Sequence, residues 1–365
     1  MRNSVIDVVK GISIIMIINV HLISGQFFLI GKTYHVIAFF FISGLIHGLK
    51  EKWKTQSINS FVKQRAERLL YPYCTLSLCY LVFRLLLNII RGDVWINNII
   101  VDASINFVLM RGIGTLWFLP ILFGGEILFF QAKRMRFCDS YLIIGGIFFI
   151  VIASILDNYG ICGSSLYGNF TTYGVLVNIP LSILLASIIA AFFIDCGYVV
   201  IKKFPCILKS DKYHNIYIII FACFLSYYID YCLLDSFTGD LHKLKIGSPL
   251  IYIVSSVCGL IFVISISLLI VLYMPRVTKM LSYFGKNSLI IMTTHSEYMI
   301  NSMVYLLIIN VLEYAHLSCN MRCISLISLF LILLIENAII YLINNSKLRF
   351  LYLIPDKFKN RYINN

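Results

Sequence analysis

Apolar residues in this chain fall in long runs separated by short polar segments, with no two-residue alternation of the kind a half-buried strand would show. Ten runs stand out: Val8 to Ile30, Tyr34 to Leu49, Leu69 to Ile90, Leu116 to Ala132, Tyr141 to Leu156, Tyr173 to Ile194, Ile216 to Leu234, Pro249 to Met274, Ser288 to Leu312 and Cys323 to Ile343. A helix needs about 20 mostly apolar residues to cross roughly 30 Å of hydrocarbon. The pattern therefore predicts an all-α integral membrane protein, a single bundle of about 10 transmembrane helices. The first run is too long for a signal peptide and no small-residue cleavage site follows it. No internal repeat, low-complexity segment or loop long enough for a soluble domain interrupts the series, so 1–346 reads as one membrane domain and 347–365 as a basic tail.

Composition agrees with that pattern. Hydrophobic residues make up 60% of the 365 and charged ones only 13%, about half the charged share of an ordinary soluble domain. Mean hydropathy is +0.88. The net charge of +13 would suggest a nucleic-acid partner in a soluble protein, but in a membrane chain it reports orientation first. With both termini cytoplasmic, 23 of the 30 Lys and Arg fall on the inner side. Six fall outside (Lys32, Arg91, Arg111, Lys243, Lys245 and Arg322) and Arg84 lies within a helix. The excess thus marks topology, and no nucleic-acid partner is expected.

Function is sought among the polar residues left inside the membrane, because a charge at mid-bilayer costs about 2.5 to 3.5 kcal/mol even on the lenient insertion scale. The first run begins with Asp7 and Lys10 and carries His21 eleven residues beyond Lys10, about 16 Å at helical rise, which sets His21 near the midplane. His35 begins the second run near the outer face, and Ser43-Gly44 in that run offers a point of close helix approach. In the ninth run, His295 lies seven residues, about 10 Å, beyond Ser288. Histidine suits proton transfer at neutral pH, although it also serves as a plain interhelical hydrogen-bonding residue. Arg84, Glu126, Glu297 and Glu336 are expected to line a cavity or pair internally, and Asp230 to be solvated at the outer end of its helix. Cys319 and Cys323 are too few for zinc, and no metal is assigned.

The order of these residues resembles a known family. Asp7-Val8-Val9-Lys10-Gly11-Ile12 followed by His21, His35 with Phe39-Phe40-Phe41-Ile42-Ser43-Gly44, Arg65-Ala66-Glu67-Arg68-Leu69-Leu70-Tyr71-Pro72, Leu116-Trp117-Phe118-Leu119, and Gly285-Lys286-Asn287-Ser288 with His295 are similar to motifs of the integral membrane acyltransferase-3 family. The likeness is greatest to its fucose 4-O-acetylase-related branch and spans about residues 5 to 345. It departs from the family at Lys10, where many members have arginine, and at Leu122, where some branches have a glutamate. The resemblance implies transfer of an acetyl group from acetyl-CoA, a cosubstrate and not a tightly bound cofactor, to a sugar hydroxyl of a surface glycan or an undecaprenyl-linked oligosaccharide, in a bacterial cytoplasmic membrane. His21 is then the expected base, with His35 and His295 as further catalytic candidates. Lys10, Arg65 and Arg68 are the candidates for coenzyme A phosphates, and Asp7, Trp117 and Glu126 for the substrate cavity. A glycan exporter is the alternative, since buried ionisable groups suit transport as well, but the paired interrupted repeats common in transporters are missing from the sequence pattern.

Overall fold

The computed structural model of the protein describes residues 3–28, 32, 34–91, 103–161, 177–205, 216–296, 300–316 and 318–353. Among these residues the regular structure is helical, apart from an isolated antiparallel bridge between Asp240 and Lys245. Among the described residues the helices used below are α1 (Ser4–Val20), α2 (Ile37–Lys50), α3 (Ile58–Arg65), α4 (Tyr71–Arg91), α5 (Phe118–Arg134), α6 (Asp139–Asn158), α7 (Ile179–Lys203), α8 (Ile216–Leu233), α9 (Pro249–Tyr273), α10 (Pro275–Lys286), α11 (Ser288–Thr294), α12 (Ile300–Tyr314) and α13 (Met321–Asn345). A π turn, Ala66–Leu70, joins α3 to α4, and a 3-10 turn, Gly114–Trp117, leads into α5.

Seven helical stretches among the described residues are long and apolar enough to cross a membrane: Ile58–Ile90, Gly114–Arg134, Asp139–Asn158, Ile179–Lys203, Ile216–Ser236, Pro249–Tyr273 and Met321–Asn345. Two shorter apolar helices, α2 and α12, accompany them. The difference from ten uninterrupted runs lies chiefly at two of them. The first stops at Val20 instead of continuing to Ile30, and the ninth is divided into α11 and α12. At the first break, the His21 imidazole Nδ1 lies 2.8 Å from the Ile17 carbonyl, the acceptor that the His21 amide would use in a continuing α-helix. The amide turns to Ile18 O instead, at 3.0 Å. Hydropathy carries no trace of such a substitution of side chain for backbone.

α7 is the central helix. Burial covers 61% of its most apolar stretch, against 17% for peripheral α8, and it packs on α2, α5 and α6. Its crossing with α2 is a backbone contact: a Cβ at Gly44 would run into the Ile194 carbonyl, and one at Gly197 into the Phe41 carbonyl. A second such crossing joins α1 to α10, where Gly11 meets the Leu281 carbonyl and Gly285 the Asp7 carbonyl. Small residues let helix backbones approach where lipid offers no hydrophobic gain for association. Two of the sequence motifs, around Asp7-Gly11 and Gly285, are therefore halves of one contact.

The Lys- and Arg-bearing C-terminal ends of α2, α5 and α7 gather at one end of the bundle. Lys202 Nζ reaches Glu51 Oε1 at 2.7 Å, and Arg134 donates to the Gln56 carbonyl at 3.0 Å. The hydrogen bonds from Lys202 first, then from Lys54, hold the Glu51 carboxyl below its ordinary range. Residues at the start of the predicted tail fold back onto α4 and α11. Thr75 Oγ1 donates to Leu351 O at 2.6 Å, and the Tyr352 hydroxyl lies 2.9 Å from Thr293 Oγ1. The remainder of the tail, 354–365, lies outside the described residues.

Candidate active site

The two helix breaks bring their histidines together. His21 caps α1 and His295 caps α11, with ring centroids 5.2 Å apart and His295 Nε2 3.5 Å from His21 Nδ1. Each ring also has Nδ1 against a carbonyl four residues earlier, Ile17 O at 2.8 Å and Ile291 O at 2.7 Å. A carbonyl oxygen only accepts, so Nδ1 carries the proton in both neutral rings. This leaves Nε2 of each as a lone pair. The His295 lone pair faces the His21 Nδ1–H, and Nε2 of His21 is the ring nitrogen left for chemistry. The His21 carbonyl in turn accepts from the Asn301 amide of α12 at 3.1 Å. Backbone and side chain of His21 are thus both fixed, while His295, at 0% exposure, stands behind it.

His21 and His35 line a cavity of about 400 Å³ together with Trp117, Asp240, His242 and the flanking Lys32 and Lys243, a size within the usual range for small-molecule sites. The walls come from the C-terminal end of α1, the N-terminal ends of α2 and α5, and the segment before α9. This is the end of the bundle opposite the basic ends of α2, α5 and α7. Trp117 stacks on His242, centroids 5.0 Å apart and planes 9° from parallel. Burial, aided by the charges of Arg111 and Lys243 and opposed by Asp240, pushes the His242 pKa down to about 4, so this stack joins two neutral rings at pH 7. Thr115 Oγ1 donates to Met292 O at 2.7 Å, which ties the Trp117 turn to α11. Asn19, fully buried, holds the chain after His21 by accepting from the Phe27 and Phe28 amides at 2.9 and 3.0 Å.

The other sequence candidates lie elsewhere. Glu126 does not line this cavity. It is buried between α2, α3 and α5, where Arg65 Nε is 2.8 Å from its Oε2, the Ser43 hydroxyl donates to it, and His47 Nε2 is 3.7 Å away. Arg65 is correspondingly held by a carboxylate in the protein, with its side chain 15% exposed. Its neighbour Arg68, in the π turn, shares a basic cluster with Lys50 and Lys52; burial first, and then the charges of Arg68, Arg65 and Lys50, push the Lys52 pKa down. Asp7 sits in the first turn of α1, 4% exposed, at the crossing with α10, and Lys10 lies three residues further along the same helix. Glu336 pairs internally, accepting from Thr294 Oγ1 at 2.7 Å. Asp230 is buried, not solvated. Glu297 is outside the described residues. Cys319 and Cys323 are both free thiols. Sequence reasoning passed over Lys133, buried between Asp139 and Asp195, and the support residues Asn19 and Asn301. The two asparagines were detectable as uncharged polar interruptions of apolar runs.

The fold and site define a helical bundle with helices long enough to cross a membrane and a cavity walled in part by histidines and lysines. The family model described as an acyltransferase domain, of the acyltransferase-3 type, matches residues 3–341, and the chain belongs to that family. It is a multi-pass membrane acyltransferase. No curated protein sequence and no solved structure matches the chain.

Proposed function

We propose that the protein transfers an acetyl group from acetyl-CoA to a sugar hydroxyl of a surface polysaccharide or of its lipid-linked precursor, as a member of the fucose 4-O-acetylase-related branch. The observation that carries this reading is the bond from His21 Nδ1–H to Ile17 O at 2.8 Å, which leaves Nε2 as a base on the cavity wall. In the reaction, Nε2 takes the sugar hydroxyl proton as the oxygen attacks the thioester carbonyl. The resulting tetrahedral oxyanion collapses with cleavage of the C–S bond, and the departing thiolate takes the proton back from His21. While His21 is an imidazolium, Ile17 O and His295 Nε2 both accept from its Nδ1–H. His35, on the same cavity, is the second candidate base, and the Trp117–His242 stack is the surface on which a sugar ring rests. Arg68, Lys52 and Lys10 are the cations proposed for the coenzyme A phosphates, with Arg65 and Glu126 fixing the π turn that carries Arg68.

The chain is proposed to cross a bacterial cytoplasmic membrane ten times, with both termini and the basic ends of α2, α5 and α7 in the cytoplasm. The test is compositional analysis of surface glycan from cells with the gene, without it, and with His21→Ala. O-acetyl groups are expected only in the first, and equal O-acyl content in all three would remove the proposal. Purified protein in liposomes adds the mass of an acetyl group to the glycan, whereas an exporter would move glycan at unchanged mass.

A further inference from the structure

The ninth apolar run delivers two groups to one residue. From its first half, at the end of α11, His295 Nε2 stands 3.5 Å from His21 Nδ1. From its second half, in the first turn of α12, Asn301 Nδ2 donates to the His21 carbonyl at 3.1 Å. An unbroken α-helix would separate the two: residues 295 and 301 would lie about 9 Å apart along the axis and about 120° apart around it, facing different neighbours. The division into α11 and α12 lets one run hold both the ring and the backbone of His21.

Asn301 occupies a costly position for an amide. It is 7% exposed and shares the buried face of α12 with Ile300, Val304 and Ile308. A carbonyl oxygen only accepts, so the end of the amide facing His21 O is the nitrogen. The other end, Oδ1, is buried with no hydrogen-bond partner among the described residues. An unpaired buried acceptor is unfavourable, and leucine would fill a similar volume without one. Asn19 differs, because both ends of its amide are used in closing the turn to Phe28. The one bond that Asn301 makes is therefore its reason for being polar, and that bond is to His21. We propose that Asn301 is a positioning residue of acyl transfer. It does not line the cavity; it fixes the backbone of residue 21, just beyond the last turn of α1, so that the His21 ring keeps its place on the cavity wall. This rests on the reading of His21 as the base.

The full-length protein in nanodiscs is supplied with labelled acetyl-CoA and with surface glycan isolated from cells lacking the gene, and kcat, both KM values and the unfolding midpoint are measured. Asn301→Leu and Asn301→Ala, which remove the same donor but leave different volumes, are expected to lower kcat equally, by about 10- to 100-fold as for a misplaced catalytic group, with both KM values unchanged. Ser325 donates to Ser24 O at 3.2 Å, three residues further along the same turn, and Ser325→Ala is expected to leave kcat unchanged. An unaltered kcat in either asparagine variant, or a rise in KM in place of a fall in kcat, overturns the inference. So does a kcat that follows the unfolding midpoints of the two variants instead of their shared loss of the amide, or an equal fall in Ser325→Ala. Full activity in His21→Ala, or no transfer of label by the wild type, overturns instead the reading beneath it.

Discussion

At the scale of single residues, the division of labour between the two central histidines is set by backbone carbonyls. Ile17 O and Ile291 O hold the protons on Nδ1, so His21 is left with a usable Nε2 on the cavity and His295 with an acceptor pointed at its neighbour. His21→Ala should lower acetyl transfer by at least about 10²-fold, the low end for loss of a general base. Because His21 is exposed, protein level should hardly change, while the unfolding midpoint should fall slightly as the buried His295 Nε2 loses its partner. In the proposed mechanism His295 is a positioning residue, and its variants separate that role from a structural one. His295→Leu is expected to reduce kcat about tenfold with KM for both substrates retained, and His295→Gln, which restores an acceptor near the Nε2 position, to recover part of the loss. A matched fall in expression and activity for both variants would mean that His295 serves packing alone. The sequence singled out both histidines, but their contact lies between residues 274 positions apart. The spacing from Lys10 fixes a depth along α1 and says nothing of the facing helix.

Among the elements, the crossings at glycine decide which helices touch. Gly44 packs against the Ile194 carbonyl, while nothing lies within 4 Å of a Cβ built on Gly145. Gly44→Ala should therefore destabilise by about 1 to 3 kcal/mol through overpacking, whereas Gly145→Ala should be neutral or stabilise by up to about 1 kcal/mol through helix propensity. Thermal unfolding of the two variants in the same detergent gives the comparison. The tie between α2 and α7 at Glu51 and Lys202 is pH-dependent in a defined direction. Since the folded pKa of Glu51 lies below its unfolded value, the contribution is present above the ordinary carboxylate pKa of about 4.3 and is lost as pH falls through the folded value. Solvent screening of this half-exposed pair limits it to about 1 kcal/mol or less. Glu51→Gln should consequently lower the unfolding midpoint slightly at pH 7, and the difference should shrink as the pH is taken down through the folded value. Ser43-Gly44 was legible as an approach point from its small side chains, but its partner, Gly197 of α7, was not, because small residues specify that a backbone can come near without specifying which one.

Taken as a whole, the molecule separates two kinds of charge. The basic ends of α2, α5 and α7 lie together with the ion pairs of Lys202 and Arg65, and the cavity with its histidines opens towards the other end. A reporter active only outside the cytoplasm, fused after Arg136, should be silent, and one fused after Lys245 should be active; the reverse pattern would invert the proposed topology. The sequence by itself determined the helical membrane class, the basic asymmetry and the residues worth suspecting, since hydropathy and charge are properties of each residue summed along the chain. Tertiary structure alone decided where the first and ninth runs break, that Glu126 pairs with Arg65 away from the cavity, and that Asp230 is buried. Each of these depends on which groups from distant segments meet in three dimensions, and burial makes that pairing compulsory: a polar group removed from water must find its partner in the fold, wherever along the chain that partner lies.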